Sequence, residues 1–219
     1  MFIDIVFDTV CPWCYVGKRR FDHALSMRPN LNTDIRYRSF LLNPDLAPQG
    51  VDRQEYLESK FGGVDQYDKI AEALIITGIS EGIDFKLNKI QRTPNSANSH
   101  RLVRMAQTLG RSGTALDLLF KSYFELGLDI GDTDVLLSIA ETLGLEQNET
   151  LSYLNNDDDL NAVYTENARM HRLGITGVPC FIFNDNRAIA GAQETEILTR
   201  MIDMAAAQDS EQPAMQSNG

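Results

Sequence analysis

The feature that most constrains this chain is Cys11-Pro12-Trp13-Cys14, set directly behind the apolar run Phe2-Ile3-Asp4-Ile5-Val6-Phe7. That run is β-branched, aromatic and short, which predicts a buried strand. The Lys18-Arg19-Arg20-Phe21 stretch that follows predicts the opening turns of a helix. Pro12 falls in the first turn, where proline is tolerated because its missing N–H would have had no partner. Cys11 is thereby set at a strand-to-helix junction, with backbone N–H groups and the positive end of the helix dipole directed at its sulfur. Such a position favours the thiolate, the nucleophilic form, over the thiol. Cys14 lies three residues on, near enough to close a disulfide with Cys11. This is the pattern of a dithiol redox centre.

Two other readings of the pair are weaker. Zinc wants four ligands, and without a second Cys-x-x-Cys the set would need Cys180 and one of His23, His100 or His171. No metal is therefore expected. Two inert buried cysteines would leave the proline between them at a helix start unexplained by packing. With only three cysteines in 219 residues, a disulfide-stapled scaffold is excluded.

The remaining bounds are broad. The net charge of −11 argues against nucleic acid and anionic membrane surfaces as partners, since both repel a polyanion. No window approaches the roughly 18 apolar residues of a membrane span. The chain enters its first strand at once, with no signal-peptide pattern ahead of it, so the expected compartment is the cytoplasm.

Along the chain, Asp34 to Leu41 alternates at period two and predicts a second strand, so the start reads as a βαβ unit with parallel strands. Residues 51–156 read as helical throughout. Leu102, Met105, Ala106 and Leu109 form one stripe; Leu116, Leu119, Phe120 and Tyr123 another. Leu136, Ile139, Ala140 and Leu143 form a third, capped by Asp132 and stopped by Gly144. Shorter helices are predicted at Arg53 to Lys60 and Asp68 to Ile76. The acidic run Asp157-Asp158-Asp159 then reads as a helix start, with Leu160, Val163, Tyr164 and Ala168 on the buried face. Gly177 to Phe183 and Arg187 to Gly191 predict a hairpin around Asn184-Asp185-Asn186. A last helix runs from Thr195 to Ala206, and Gln208 to Gly219 is a polar, frayed tail. The expected divisions are 1–48 and 157–207 for the two parts of an α/β framework, 49–156 for an inserted helical domain, and 208–219 for a disordered tail.

A βαβ unit with Cys-x-x-Cys at its first helix, then a helix, a Val-Pro strand, a hairpin and a last helix, resembles the thioredoxin fold. With a large inserted all-helical domain it resembles the DsbA-like branch, and within it the FrnE-like dithiol-disulfide oxidoreductase/isomerase subgroup. The matching stretches are Phe7 to Gly17, Phe40 to Pro44, Asn95 to Leu102 and Gly174 to Pro179. The resemblance implies that the Val178–Pro179 bond is cis and lies beside the dithiol, presenting Val178 as an edge for an extended substrate. It also places the Asn95 to His100 segment where the helical domain faces the active site, which makes His100 a candidate substrate-binding residue beside Asn43, although a histidine on a helix face also reads as structural. Pro12 and Trp13 lie on the helix's first turn, where Trp13 is expected to be exposed beside the sulfurs as part of the substrate platform. Cys180 departs from the family pattern; it reads either as a third redox thiol or as a small buried apolar side chain.

The expected chemistry is thiol–disulfide exchange, with Cys11 as nucleophile and Cys14 resolving the mixed disulfide. The Pro-Trp dipeptide gives Cys11 no donor or positive charge, so its pKa is expected to fall, but not to the ~3.5 of the strongest oxidants. No cofactor is expected beyond the redox-active Cys11–Cys14 disulfide. Glutathione is the candidate reductant or co-substrate, the substrate a thiol/disulfide protein or small molecule, and the protein a monomer or homodimer. The rival is a glutathione-dependent isomerase or kappa-like glutathione transferase acting on an aromatic or polyketide-like small molecule. Relatives of that kind share the fold but typically carry serine at the first motif position. A non-enzymatic binding module would survive loss of both cysteines.

Overall fold

The computed structural model describes residues 1–62 and 64–211. Strand β1 (Phe2–Phe7) is central in a four-stranded sheet of order β2-β1-β5-β6. It pairs in parallel with β2 (Asp34–Ser39), Phe2 opposite Asp34 and Phe7 opposite Ser39. On its other side it runs antiparallel to β5 (Cys180–Phe183), which forms a hairpin with β6 (Arg187–Ala190). The connection from β1 to β2 is helix α1 (Pro12–Ser26), so the βαβ unit forms as the alternation predicts. Gly177 to Pro179 fall outside the hairpin strand, which begins at Cys180, and the Val178–Pro179 peptide bond is cis.

Between β2 and β5 the chain is mostly helical: α2 (Arg53–Phe61), α3 (Val64–Ser80), α4 (Ala97–Gln107), α5 (Ser112–Phe120), α6 (Thr133–Thr142), α7 (Gln147–Asn155) and α8 (Leu160–Arg172). Helix α5 continues into a π-helical turn, Lys121–Glu125. Two two-residue strands, β3 (Val51–Asp52) and β4 (Arg92–Thr93), pair antiparallel within this region, which the sequence reads as helical throughout. Pairs this short carry no period to detect. Helix α9 (Thr195–Glu211) passes through Gln208 instead of fraying there; the rest of the expected tail lies outside the described residues.

Three apolar clusters hold the molecule. Ile3, Ile5, Phe21, Phe181, Leu198 and Ile202 join one sheet face to α1 and α9. Val6, Phe40, Met170, Ile175 and Cys180 fill the other face. The largest cluster sets Phe7, Cys11, Cys14, Tyr15 and Val16 among the insertion residues Leu102, Leu116, Leu119, Phe120 and Phe124. Helix α1 is therefore buried on two sides, Tyr15 stacking on Phe120 at 5.1 Å and Phe21 on Phe181 at 5.3 Å.

Several stripes shift from their predicted form. Leu109 is 47% exposed because α4 has already ended at Gln107; Val103 takes its place on the buried face. On α8 the buried face is Val163, Asn167 and Met170, and Ala168 points outward. Asp159 does not cap that helix: its backbone is left-handed (φ 58°), and its carboxylate goes instead to Tyr153 and Arg104. Asp132 does cap α6, accepting from Asp134 N at 2.8 Å and Val135 N at 3.2 Å.

Arg101 organises the turn between α7 and α8. Fully inside the protein, it donates to the carbonyls of Leu154, Asp158, Asn156 and Tyr153. Arg101→Met would keep the apolar stem and leave these carbonyls without a donor, so a loss of about 3 kcal/mol is expected, read as the shift in urea unfolding. An unchanged midpoint would show that the turn holds without it.

Candidate active site

The site is built where β1 runs out. Cys11 N donates to Asp8 O at 3.1 Å, closing a tight loop, and Cys14 N donates to Cys11 O at 3.0 Å, opening α1. Cys11 is the N-cap residue, in extended conformation, with Pro12 behind it at the helix start as expected. Its side chain makes no hydrogen bond to the helix N–H groups. The sulfur instead points at the Val178 carbonyl, 3.6 Å away. Both cysteines are free thiols and both are buried. The Cys14 thiol is pushed up well above its ordinary range, first by burial and then by its hydrogen bond to Cys11. A backbone hydrogen bond from Asp8 opposes this in part.

Helix α1 meets the Pro179 loop at Gly17. A Cβ there would lie 2.8 Å from Pro179 Cγ and 3.5 Å from Ala192 Cα, so only glycine allows this approach. Gly191 N donates to Pro179 O at 2.7 Å, fixing the loop from the hairpin side. The next residue past Cys14, Tyr15, donates to Glu125 Oε1 at 2.5 Å; burial and that carboxylate push its pKa to about 12.

A buried polar group lies beneath the thiols. The Asp8 carboxylate has no exposed surface; Oδ2 accepts from Leu42 N at 2.7 Å and Oδ1 from Val10 N at 3.4 Å. Oδ1 also lies 3.3 Å from His100 Nε2. Beside it Thr9 Oγ1 and Ser99 Oγ are 2.6 Å apart. Ser99 spends its own hydrogen on Ser96 O at 2.7 Å, which makes Thr9 the donor. The dithiol loop is thus tied to the start of α4.

The structure brings Cys11, Cys14, Val178 and Pro179 together, with Pro12 and Trp13 on the turn that carries the thiols. Trp13 is half-buried against the cluster holding both sulfurs, not fully exposed as expected. His100 is enclosed, its ring 4.7 Å from that of Phe7, so it faces the loop from below and offers no surface to a ligand. Asn43 is half-buried and turned to α2, its Oδ1 accepting from Tyr56 Oη and Lys60 Nζ, each at 3.2 Å. Cys180 packs with Val6, Phe40 and Met170, in a different cluster from the other two cysteines, and burial raises its pKa. Asp8, Thr9, Gly17 and Ser99 lie within the matching stretches but have no role assigned from the sequence; for Asp8, a carboxylate closing an apolar strand is the signal that could find it. No group of three or more His, Cys, Asp or Glu side chains able to hold a metal occurs among the described residues. Nor is any described helix long and apolar enough to cross a membrane. A cleft of about 800 Å³ opens between α2 and α3, lined by Leu57, Ile75, Phe85 and Ile90 but by none of the thiol-bearing turn.

With this geometry in hand, the chain can be set beside known proteins. The family model described as DSBA-like thioredoxin domain matches residues 2–203. A probable DsbA oxidoreductase of Streptomyces coelicolor superposes with a TM-score of 0.84 at 28% identity, covering 94% of this chain and 89% of that one. A 2-hydroxychromene-2-carboxylate isomerase shares the fold over 100% of both chains (TM-score 0.70, 15% identity). The cytosolic disulfide reductase DsbM of Pseudomonas aeruginosa does so over 98% of this chain and 100% of its own (TM-score 0.65, 19% identity), and has also been solved with glutathione.

Two outcomes are expected from the geometry. Gly17→Val would push Pro179 away from α1, with a stability loss of about 1–3 kcal/mol typical of overpacking; a mutant with parental thermal stability would contradict the close approach. The raised Cys14 thiol means the folded, reduced protein holds a proton that the unfolded chain releases at an ordinary thiol pKa of ~8.5. Its contribution to stability is present below that value and is lost as pH rises above it. The urea midpoint of the reduced parent should fall more steeply between about pH 8 and 10 than that of Cys14→Ala; parallel slopes would refute the assignment.

Proposed function

The chain belongs to the DsbA-like thioredoxin-domain family, and from that premise we propose that it is a thiol–disulfide oxidoreductase acting through Cys11 and Cys14. The observation that carries the reading is the placement of Cys11 Sγ at a helix start, facing the Val178 carbonyl, with the Cys14 thiol as hydrogen-bond partner. Cys11 is the attacking sulfur. It stands at the N-terminal, positive end of α1, whereas burial holds Cys14 in the protonated form. Attack on a substrate disulfide gives a mixed disulfide on Cys11, and Cys14 resolves it. Val178, next to the sulfur, offers its backbone to an extended substrate. Trp13 and Pro12 form the apolar flank.

The sparse cysteine content fits a reducing compartment, the cytoplasm, where a Cys-x-x-Cys serves catalysis and not stapling. Glutathione is the reductant to test first, since a reductase of the same fold has been solved with it. The resemblance of Phe7 to Gly17, Phe40 to Pro44, Asn95 to Leu102 and Gly174 to Pro179 to the FrnE-like stretches supports reading the protein with the dithiol-disulfide oxidoreductase/isomerase subgroup. The second reading, a glutathione-dependent isomerase, draws on the full-length fold likeness to the chromene-carboxylate isomerase. It gives no role to the second sulfur at position 14.

The test is insulin reduction with glutathione or dithiothreitol as electron source. Cys11→Ser should abolish turnover, and Cys14→Ser should accumulate a mixed disulfide without completing the cycle. Parental rates in Cys11→Ser would sink the proposal. Activity that resists iodoacetamide but needs glutathione would favour the isomerase.

A further inference from the structure

Resting on the oxidoreductase reading, we infer that the cleft between α2 and α3 is a docking site for protein substrates, and that it selects segments mixing apolar with basic side chains. It anchors the substrate chain beside the dithiol and takes no part in the sulfur chemistry.

The cleft has the size and the lining of a binding site. Its volume of about 800 Å³ lies inside the range of ligand pockets. Leu57, Ile75, Phe85 and Ile90 make its walls apolar. The charged side chains of the lining are three carboxylates, Asp52, Asp68 and Glu72, against one guanidinium, Arg53. Arg53 is already committed. It donates to Thr93 Oγ1 and Tyr67 Oη, each at 3.1 Å, and its guanidinium lies 5.6 and 5.5 Å from the rings of Tyr56 and Tyr67. Asp52 is held as the cap of α2, accepting from Gln54 N and Glu55 N. Asp68 and Glu72 are exposed and make no hydrogen bond or ion pair among the described residues. Set four apart on one helix, they repel each other, so a bound cation relieves a cost that the free protein carries.

Helix α3 continues this pattern past the cleft. Asp68, Glu72, Ile75 and Ile79 recur at helical spacing and share one face. Ile75 forms a wall of the cleft; Ile79 beyond it is 73% exposed, beside Ile76 at 71%. Exposed apolar side chains this close together mark a contact surface. A small organic cation would fill the cleft and leave Ile76 and Ile79 bare. A polypeptide segment covers both, and its backbone meets the exposed amides of Asn88 and Gln91 at the rim. The net charge of −11 adds a longer-range pull on a basic chain.

The floor of the cleft connects to the dithiol. Phe85 packs edge-on against Tyr15, ring centroids 6.0 Å apart, and Tyr15 follows Cys14 in α1. Phe85 and Ile90 belong to the same apolar cluster as both sulfurs. A segment seated in the cleft thus rests on the layer of side chains that also packs the thiols. Its anchoring raises the effective concentration of a disulfide carried elsewhere on the same chain.

The probes are two cysteine-free, fluorescein-labelled peptides, one alternating leucine with lysine and the other leucine with glutamate, read by anisotropy. The lysine peptide should bind the parent at least ~10-fold more tightly, because two attractive contacts become two repulsive ones in the other. Asp68→Lys/Glu72→Lys should reverse that order, which a merely structural role of these carboxylates would not do. Ile79→Ser should weaken both peptides about threefold or more. The same peptides, each given one glutathionylated cysteine, are then reduced with glutathione as electron source, every turnover yielding a peptide thiol and glutathione disulfide. The KM order should follow the binding order in both proteins, while the small hydroxyethyl disulfide, which cannot span to the cleft, turns over at the parental rate in the double variant. Equal affinity for the two peptides, no binding of either, or an order that survives the double substitution overturns the inference. So does a parent that sediments as a dimer and comes apart in the double variant, since a second copy then covers the cleft. Peptide binding in the expected order without turnover of any disulfide overturns the oxidoreductase reading instead, and with it the peptide's role as substrate.

Discussion

One carboxylate without exposed surface, Asp8, holds the thiol-bearing loop to the two parts of the chain it must meet. A buried charge is tolerated only when hydrogen bonds replace the water it has lost. Here Leu42 N satisfies it from the exit of β2 and His100 from the start of α4, while Val10 N closes it locally. Each partner comes from a different stretch of the chain. The same contact therefore ends β2 at Ser39, seats α4 against the sheet, and sets the height at which Cys11 enters its helix. The Thr9–Ser99 hydrogen bond repeats the clamp one residue on.

Above this clamp, α1 serves two bodies at once. Its first turns, Cys14 to Val16, lie in the apolar cluster of the insertion, and its later turns, at Phe21 and Ala24, lie in the cluster beneath α9. Close packing transmits position, so the insertion helices fix the thiols as firmly as the sheet does. Tyr15 is the hinge pin of this arrangement, stacked on Phe120 and anchored at Glu125. Gly17 lets the opposite side of the helix come within contact of Pro179. The dithiol thus lies where three separately packed pieces converge.

How much of this was legible beforehand depends on range. The strand β1, the place of Cys11 at the start of α1, the caps of α6 and the hairpin around Asn184 all follow from a few neighbouring residues, whereas the helix N–H groups that the sequence directs at the Cys11 sulfur make no hydrogen bond to it. The cis Val178–Pro179 bond follows only from the family resemblance. The stripe on α4 was misplaced at Leu109, because helical period alone does not say which turn is the last. The sequence makes Asp159 part of a charged helix start, but its carboxylate is claimed by Tyr153 and Arg104. The resemblance turns the His100 segment toward the active site; in the structure His100 lies against Asp8 of the dithiol loop, enclosed and not at a binding surface.

Local chemistry was sufficient to announce a strand, a helix start and two cysteines at their junction, because caps, prolines and apolar spacing act over one or two turns. The folded chain alone decided what those sulfurs face. The Val178 carbonyl, the Asp8–His100 pair and the packing at Gly17 bring together residues far apart in the chain; Cys11 and Val178 are separated by 167 positions. Such contacts leave no periodic mark on the chain, since each is one hydrogen bond or one missing side chain. Their energy comes from burial, and burial exists only once the sheet, α1 and the insertion have closed on one another.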